Sequence, residues 1–321
     1  MNNMTDQINE GPLVSVGIPA YNRPEGLRHT LECITNQTYK NLQIIVSNNG
    51  SPDPAVETVI REYVAKDRRI TAFTQPENRG PGFNILFVLR QAAGGYFMWA
   101  MDDDDWAPNF IAETLHLLQA NPQAVAAFCA VKEKESGQIT DYLQRCPDLS
   151  SPDLNKRLMA YLAWPEGPNT KGSVLYSLHK RKNILACHNK IETHHDDRSL
   201  GPDIIMLYLL LINGPIVFSH EPLYIVTMRN VKYVGYRYKR HDFFGGGLLL
   251  SIKKGLDLLY QREKFYFLVA KTIWNSGAAK VCFWYALYTI GRRHLHAFRM
   301  TVIYPFKKIY HLLRQANAKT V

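Results

Sequence analysis

The run Gly95-Tyr96-Phe97-Met98-Trp99-Ala100-Met101-Asp102-Asp103-Asp104-Asp105-Trp106 constrains this chain more than any other. Its apolar, aromatic half has the length and composition of a buried strand. Its second half sets four carboxylates side by side, where they repel one another. A chain accepts that in a solvated loop or where a cation gathers the acids. No spacer separates the apolar run from the acids, so the cluster sits at a strand end. In open α/β sheets the ligand crevice lies outside the carboxyl ends of the strands. Hard oxygen ligands there suit Mg²⁺ or Mn²⁺, ions that commonly accompany phosphates.

The chain around this run alternates. Val14-Ser15-Val16-Gly17-Ile18 is β-branched and reads as a first strand. A turn through Pro19-Ala20-Tyr21-Asn22-Arg23-Pro24 leads to helically spaced Leu27, Leu31 and Ile34, with Asn22 or a close neighbour as the cap. Residues 42–46 read as a second strand, and Pro52 takes a first helical position before the stripe Val56, Val59, Ile60, Tyr63 and Val64. Residues 70–73 make a third strand, and Phe83, Leu86 and Phe87 begin a third helix. After the aspartates come a helix through Phe110, Ile111, Leu115 and Leu118 and a strand over 125–131. Strands and helices in strict alternation predict a doubly wound, mainly parallel sheet. No G-x-G-x-x-G follows the first strand, which disfavours the usual dinucleotide fold.

Beyond Glu133 the alternation stops. Residues 136–168 are polar and rich in proline, with a short helical patch over 158–162. Residues 172–178 read as a strand, and 204–212 as a helix apolar on most faces and therefore buried. Two short strands follow over 216–218 and 223–226. The net charge of +10 is concentrated after Arg240, where basic residues far outnumber acidic ones and aromatic residues are interleaved. The five cysteines are scattered with no C-x-x-C pair, which fits reduced thiols in the cytoplasm. The polar start carries no signal core, and no apolar run approaches the roughly 18 residues of a membrane span.

The first 130 residues resemble the nucleotide-sugar domain of the inverting glycosyltransferases of family 2, which have the GT-A fold. The resemblance is carried by Val16-Gly17-Ile18-Pro19-Ala20-Tyr21-Asn22-Arg23, Asn36-Gln37-Thr38-Tyr39-Lys40-Asn41, Gly50-Ser51-Pro52-Asp53, Glu77-Asn78-Arg79-Gly80 and Gly94-Gly95-Tyr96 through Trp106, in the family's order and spacing. A looser likeness to the family's acceptor half runs from Gly201-Pro202-Asp203 to Glu221-Pro222-Leu223-Tyr224. It implies an α/β fold in three parts: a nucleotide-sugar half over 1–131, an acceptor half over 132–239 and a basic helical tail over 240–321.

The resemblance also implies roles. Asp102 and Asp104 match the outer positions of the family's D-x-D motif, so they would hold Mn²⁺ or Mg²⁺ on a donor's diphosphate. Asp103 would touch the ribose or the metal, and Asp105 would be a loop or helix-cap residue. Pro19, Ala20, Tyr21 and Asn22 match the segment lining the nucleoside pocket, with Tyr21 placed to stack on a base or to serve as a core tyrosine. At Asn48 and Asn49 the sequence departs from the family's pair of aspartates, one of which accepts a bond from the uracil ring NH. An amide carbonyl still accepts that bond, without the charge. Arg79 stands where the family often has a polar residue near the donor. Asp203 matches the general base, with Asp196 and Asp197 as the alternatives. The sequence His194-His195-Asp196-Asp197 reads as an acceptor loop, since side chains adjacent on an extended segment point opposite ways.

The implied reaction is transfer of a sugar, with inversion, from a UDP-sugar to a saccharide or lipid-linked glycan in bacterial surface polysaccharide synthesis. The alternative is a non-catalytic member of the same fold that binds a nucleotide or scaffolds a membrane complex. The tail, with Trp274, Phe283, Trp284, Tyr285, Tyr288 and Tyr304 among its basic residues, reads either as a solvated, self-packed helical hairpin or, as favoured here, as an element lying on an anionic membrane at the inner face of the cytoplasmic membrane. Nucleic acid is not expected, because no recognition motif accompanies the charge.

Overall fold

The computed structural model describes residues 11–102, 104–164, 171–192 and 202–226. All of these belong to one of the chain's two compact units. The predicted alternation is present. β1 (Val14–Ala20), α1 (Pro24–Thr35), β2 (Leu42–Asn48), α2 (Pro54–Lys66), β3 (Ile70–Thr74), α3 (Pro81–Gln91) and β4 (Tyr96–Trp99) follow one another without interruption. Then come β5 (Asp104–Trp106), α4 (Phe110–Ala120), β6 (Ala126–Phe128), β7 (Val131–Glu133), β8 (Ile139–Thr140), α5 (Tyr142–Arg145) and α6 (Leu154–Ala163). β9 (Leu178–Lys180), α7 (Arg181–Glu192), α8 (Pro202–Asn213), β10 (Ile216–Phe218) and β11 (Tyr224–Val226) complete the described part. No helix among the described residues is long and apolar enough to cross a membrane.

The large sheet has the order β10-β6-β9-β4-β1-β2-β3. Every pairing in it is parallel except those of β9, which runs antiparallel to both β4 and β6. Val14, Val16, Ile18, Ile44, Ile45 and Val46 are all fully buried. Apolar side chains buried along both strands in this way are what helices on both faces of a parallel sheet require. Each such side chain contributes about 1.5–3 kcal/mol relative to exposure. The chain winds outward from β1 through β2 to β3, then returns to β4 on the other side of β1. That reversal is the topological switch point at which ligands of such sheets bind.

A second sheet has the order β5-β11-β7-β8. The acidic run joins the two sheets: β4 ends in the large one at Trp99, and β5 begins in the small one at Asp104. The predicted strand over 125–131 is divided in the same way into β6 and β7. The break falls at Cys129-Ala130, where the Ala130 amide turns aside to the carbonyls of Ser219 and Glu221.

Other local expectations are corrected. Residues 172–178 form a 3₁₀ turn over Lys171–Tyr176 and enter a strand only at Leu178. Both the amide and the hydroxyl of Ser177 donate to the Val174 carbonyl, which closes a turn where the apolar pattern predicted extension. The second helix begins at Pro54, not Pro52, because the Asp53 carboxylate accepts the Ala55 amide at 2.9 Å and caps it. The cap position of α1 falls on a neighbour of Asn22, one of the two readings expected for it. Arg23 occupies that position without a side-chain bond, and Asn22 instead takes a left-handed turn at φ 54°. Helix α7 was not foreseen.

Candidate functional site

The carboxyl ends of β1 and β2 bring together Pro19, Ala20, Asn22 and Asn49 of the predicted residues. At the end of β1, Pro19 and Ala20 pair with Ser47 and Asn48 of β2. The Ala20 carbonyl accepts the Asn49 amide at 2.9 Å. Tyr21 projects from this edge and is 41 % exposed. The left-handed backbone of Asn22 aims its amide at the Ser51 hydroxyl, 2.9 Å away, joining the β1 turn to the β2 turn.

Asn48 and Asn49 are both buried, and both work within the fold. The Asn48 carbonyl accepts the Ser51 amide at 3.0 Å, and its NH₂ donates to Glu57 at 3.4 Å. Burial pushes the Glu57 carboxyl up, but hydrogen bonds from Thr74, Asn48 and Arg61 outweigh it and hold the group below its ordinary value. The Asn49 NH₂ donates to Asn78 Oδ1 and to the Gly80 carbonyl, both at 3.0 Å, while its carbonyl accepts the Arg79 amide at 3.2 Å. Asn49 is thus a clamp on the loop leading into α3. The Arg79 side chain lies over the Phe83 ring, 3.7 Å from its centroid, a cation–π contact that places it along the start of α3.

The acidic run is split by strand geometry. Asp102 precedes β5 and accepts Arg23 Nη1 at 2.9 Å, so the residue before α1 neutralises it. Helix α1 comes unusually close here: the Thr30 hydroxyl donates to the Met101 carbonyl at 2.8 Å. A Cβ on Gly26 would stand 2.0 Å from the Asp102 carbonyl oxygen, so only glycine permits this approach. Asp104 is 7 % exposed, and its Oδ2 accepts the hydroxyl of buried Tyr224. Asp105 points to the opposite face, as strand alternation requires, and meets His29 and Lys134. It is therefore a strand residue rather than the expected loop or cap. Asp103 and the segment His194-His195-Asp196-Asp197 lie outside the described residues, as does the tail after Arg240. Asp203 is the second residue of α8, the buried helix foreseen over 204–212. Met206 through Leu211 of that helix are buried.

Three contributors were missed from sequence. Arg23 and Tyr224, the partners of the two aspartates, carry no spacing signal because they are remote in the chain. Asn84 is 2 % exposed, and its NH₂ donates to the Ser47 carbonyl at 2.9 Å and the Ala20 carbonyl at 3.4 Å. It ties the ends of β1 and β2 to α3. A polar residue among Phe83, Ile85, Leu86 and Phe87 was the available signal.

A parallel sheet with amides and carboxylates around its switch point defines the class of α/β proteins that bind ligands at strand ends. The model of glycosyl transferase family 2 matches residues 15–182, and the chain belongs to that family, with the GT-A fold. An uncharacterized glycosyltransferase of Rickettsia typhi is 34 % identical over 119 residues, 37 % of this chain and 36 % of that protein. The chain thus matches about a third of that relative's length. Among solved structures, S. aureus TarS 1-349 superposes with a TM-score of 0.60 at 14 % identity, over 89 % of this chain and 73 % of that one. Its complex with UDP-GlcNAc gives 0.57 at 14 % identity, over 89 % and 72 %. A mannosyltransferase from Pyrobaculum calidifontis in complex with GDP-Man and Mn²⁺ gives 0.51 at 18 % identity, over 96 % and 80 %.

Proposed function

We propose that this chain is a metal-dependent, inverting glycosyltransferase that moves a sugar from a UDP-sugar to a hydroxyl of a saccharide or lipid-linked glycan. The observation that carries this reading is the pair Asp102 and Asp104 leaving β4 at the switch point, each carboxylate held by a partner from a distant segment. Two carboxylates two residues apart are hard oxygen donors, which fits Mg²⁺ or Mn²⁺ better than a soft-metal site. A cation bound there supplies positive charge to a departing diphosphate. The complexes of structural neighbours with UDP-GlcNAc and with GDP-Man and Mn²⁺ support both a nucleotide-sugar donor and a divalent ion.

The remaining roles follow from position. Pro19, Ala20, Tyr21 and Asn22 line the nucleoside side of the crevice, with the exposed Tyr21 ring free to cover a base. Asn49 holds the loop that presents Arg79. Asp103 completes the donor contacts. Asp203, at the start of α8, takes the proton of the acceptor hydroxyl as its oxygen attacks the anomeric carbon. The bond from that carbon to the diphosphate oxygen breaks on the opposite side, and configuration inverts. The positive charge and aromatic residues after Arg240 support a role for 240–321 on an anionic membrane surface, where a lipid-linked acceptor would be found.

The test is calorimetry of the purified chain with UDP, with and without Mn²⁺, beside Asp104→Ala. Mn²⁺-dependent binding that the variant loses is expected, followed by turnover in a screen of UDP-sugars. Absence of UDP binding overturns the uridine assignment and directs the test to dTDP, GDP and CMP. Failure of all of them favours the non-catalytic alternative.

A further inference from the structure

Asp105 is left over by this reading. It faces away from Asp104, and its surroundings are of a different chemical kind. His29 and Cys33 lie one turn apart on α1, so their side chains share one helix face. His29 Nε2 is 3.8 Å from Cys33 Sγ and in direct contact with Asp105 Oδ1. One donor atom from each of the three residues lies within 4.8 Å of the other two. Two ligands of a tetrahedral ion with bonds of about 2.0–2.3 Å stand roughly 3.3–3.8 Å apart, so small side-chain rotations bring all three onto one centre. The second oxygen of Asp105 accepts Lys134 Nζ at 3.1 Å, which fixes the carboxylate and leaves Oδ1 for the ion. Such outer partners are what orient ligands at metal sites.

We propose that His29, Cys33 and Asp105 form a second metal site, for Zn²⁺ or a cation of similar softness, with one coordination position open to solvent. Imidazole, thiolate and a single carboxylate oxygen select such an ion over Mg²⁺ or Mn²⁺. On binding, the Cys33 thiol gives its proton to solvent and sulfur bonds the metal. Two of the ligands belong to α1, the helix that begins beside Arg23, and the third to β5, the strand that carries Asp104. The ion therefore pins together the two elements whose residues hold the acidic run in place. This site does not depend on the glycosyltransferase reading.

Co²⁺ titration of the full chain followed by Zn²⁺ tests it. One equivalent of Co²⁺ is expected to give a sulfur-to-metal charge-transfer band that Zn²⁺ abolishes by displacement. Cys33→Ser removes the band. His29→Ala, at a half-exposed side chain, weakens Zn²⁺ binding about tenfold or more. Zn²⁺ raises the Tm of the unmodified chain and not that of Cys33→Ser. Absence of the band, or a band unchanged in Cys33→Ser, overturns the proposal. Asp104→Ala separates the two sites: it is expected to keep the cobalt band while losing Mn²⁺-dependent UDP binding, and loss of both together identifies a single shared site and overturns this one.

Discussion

The hydroxyl of Tyr224 donates to Asp104 Oδ2 across the β5–β11 ladder, joining residues 120 positions apart in the chain. The two are diagonal neighbours on one face: Tyr224 pairs with Trp106, and Asp104 pairs with Val226. β11, late in the described chain, thereby supplies a donor to a carboxylate of β5, the strand in which the acidic run ends. A hydrogen bond to a buried ionised group is worth about 1.5–3 kcal/mol. Tyr224→Phe keeps the ring packed against Trp106 and Phe128 and removes only the hydroxyl. The expected result is a loss of about 1–3 kcal/mol in urea denaturation and Mn²⁺-dependent UDP binding weaker by about tenfold.

Gly26→Ala tests the closeness of α1 to the acidic run. In an open helix this substitution stabilises by roughly 1 kcal/mol. Here the new Cβ would stand 2.0 Å from the Asp102 carbonyl oxygen, a backbone atom that yields only if the loop moves. The predicted outcome is a lower Tm and a larger KM for the donor. A raised Tm would show that the loop has room the structure does not give it.

Asn49 looks like a weakened copy of the family's aspartate, and its surroundings say otherwise. The Gly80 carbonyl can only accept, so the Asn49 NH₂ must face it. Asn49→Asp sets a carboxylate against that carbonyl and against Asn78 Oδ1, which already accepts the Gly80 amide. The change is expected to cost about 1–3 kcal/mol of stability and to raise the Kd for UDP rather than lower it. Calorimetry and thermal melts of the one variant measure both.

How far these features could be read in advance depended on their range in sequence. Strands such as 14–18 and helices such as α1 are local, set by residues two to four positions apart, and their pattern survives in one dimension. Asp102 and Asp104 could be singled out in advance because they stand only two positions apart in one acidic run. The division of 125–131 between two sheets was not, because both halves are apolar and the break is enforced by carbonyls of Ser219 and Glu221, ninety residues on. Arg23, Asn84 and Tyr224 were missed for the same reason: each acts on a partner that only the folded sheet brings near. Asp105 was misread because strand alternation, which turns it away from Asp104, appears only once β5 is known to be a strand.

Asp203→Asn separates binding from chemistry. A positioned general base contributes about 10²–10⁴-fold to rate. The amide is nearly isosteric, so the start of α8 is retained. Turnover with a competent donor and acceptor is expected to fall by about 10²–10⁴-fold while the Kd for UDP with Mn²⁺ stays unchanged. Unchanged turnover would move the base to Asp196 or Asp197.

His179 gives the fold a pH dependence of its own. It lies in β9 against Trp99, fully buried, with Nε2 donating to the Leu175 carbonyl at 2.8 Å. Burial disfavours the charged ring and pushes its pKa down to about 4, with the Leu175 bond opposing only in part. The unfolded chain regains the ordinary value of about 6.5. Between those two values the unfolded state binds a proton that the folded state does not, so stability falls as pH falls. The contribution is fully present above about pH 6.5 and is lost on descending towards pH 4, at roughly 1.4 kcal/mol for each pH unit within the window. His179→Leu removes the titrating group while keeping an apolar contact for Trp99. Urea midpoints measured from pH 7 to pH 4 should therefore decline less steeply in the variant than in the unmodified chain. Parallel declines would assign the acid sensitivity to other groups and leave His179 as a packing residue alone.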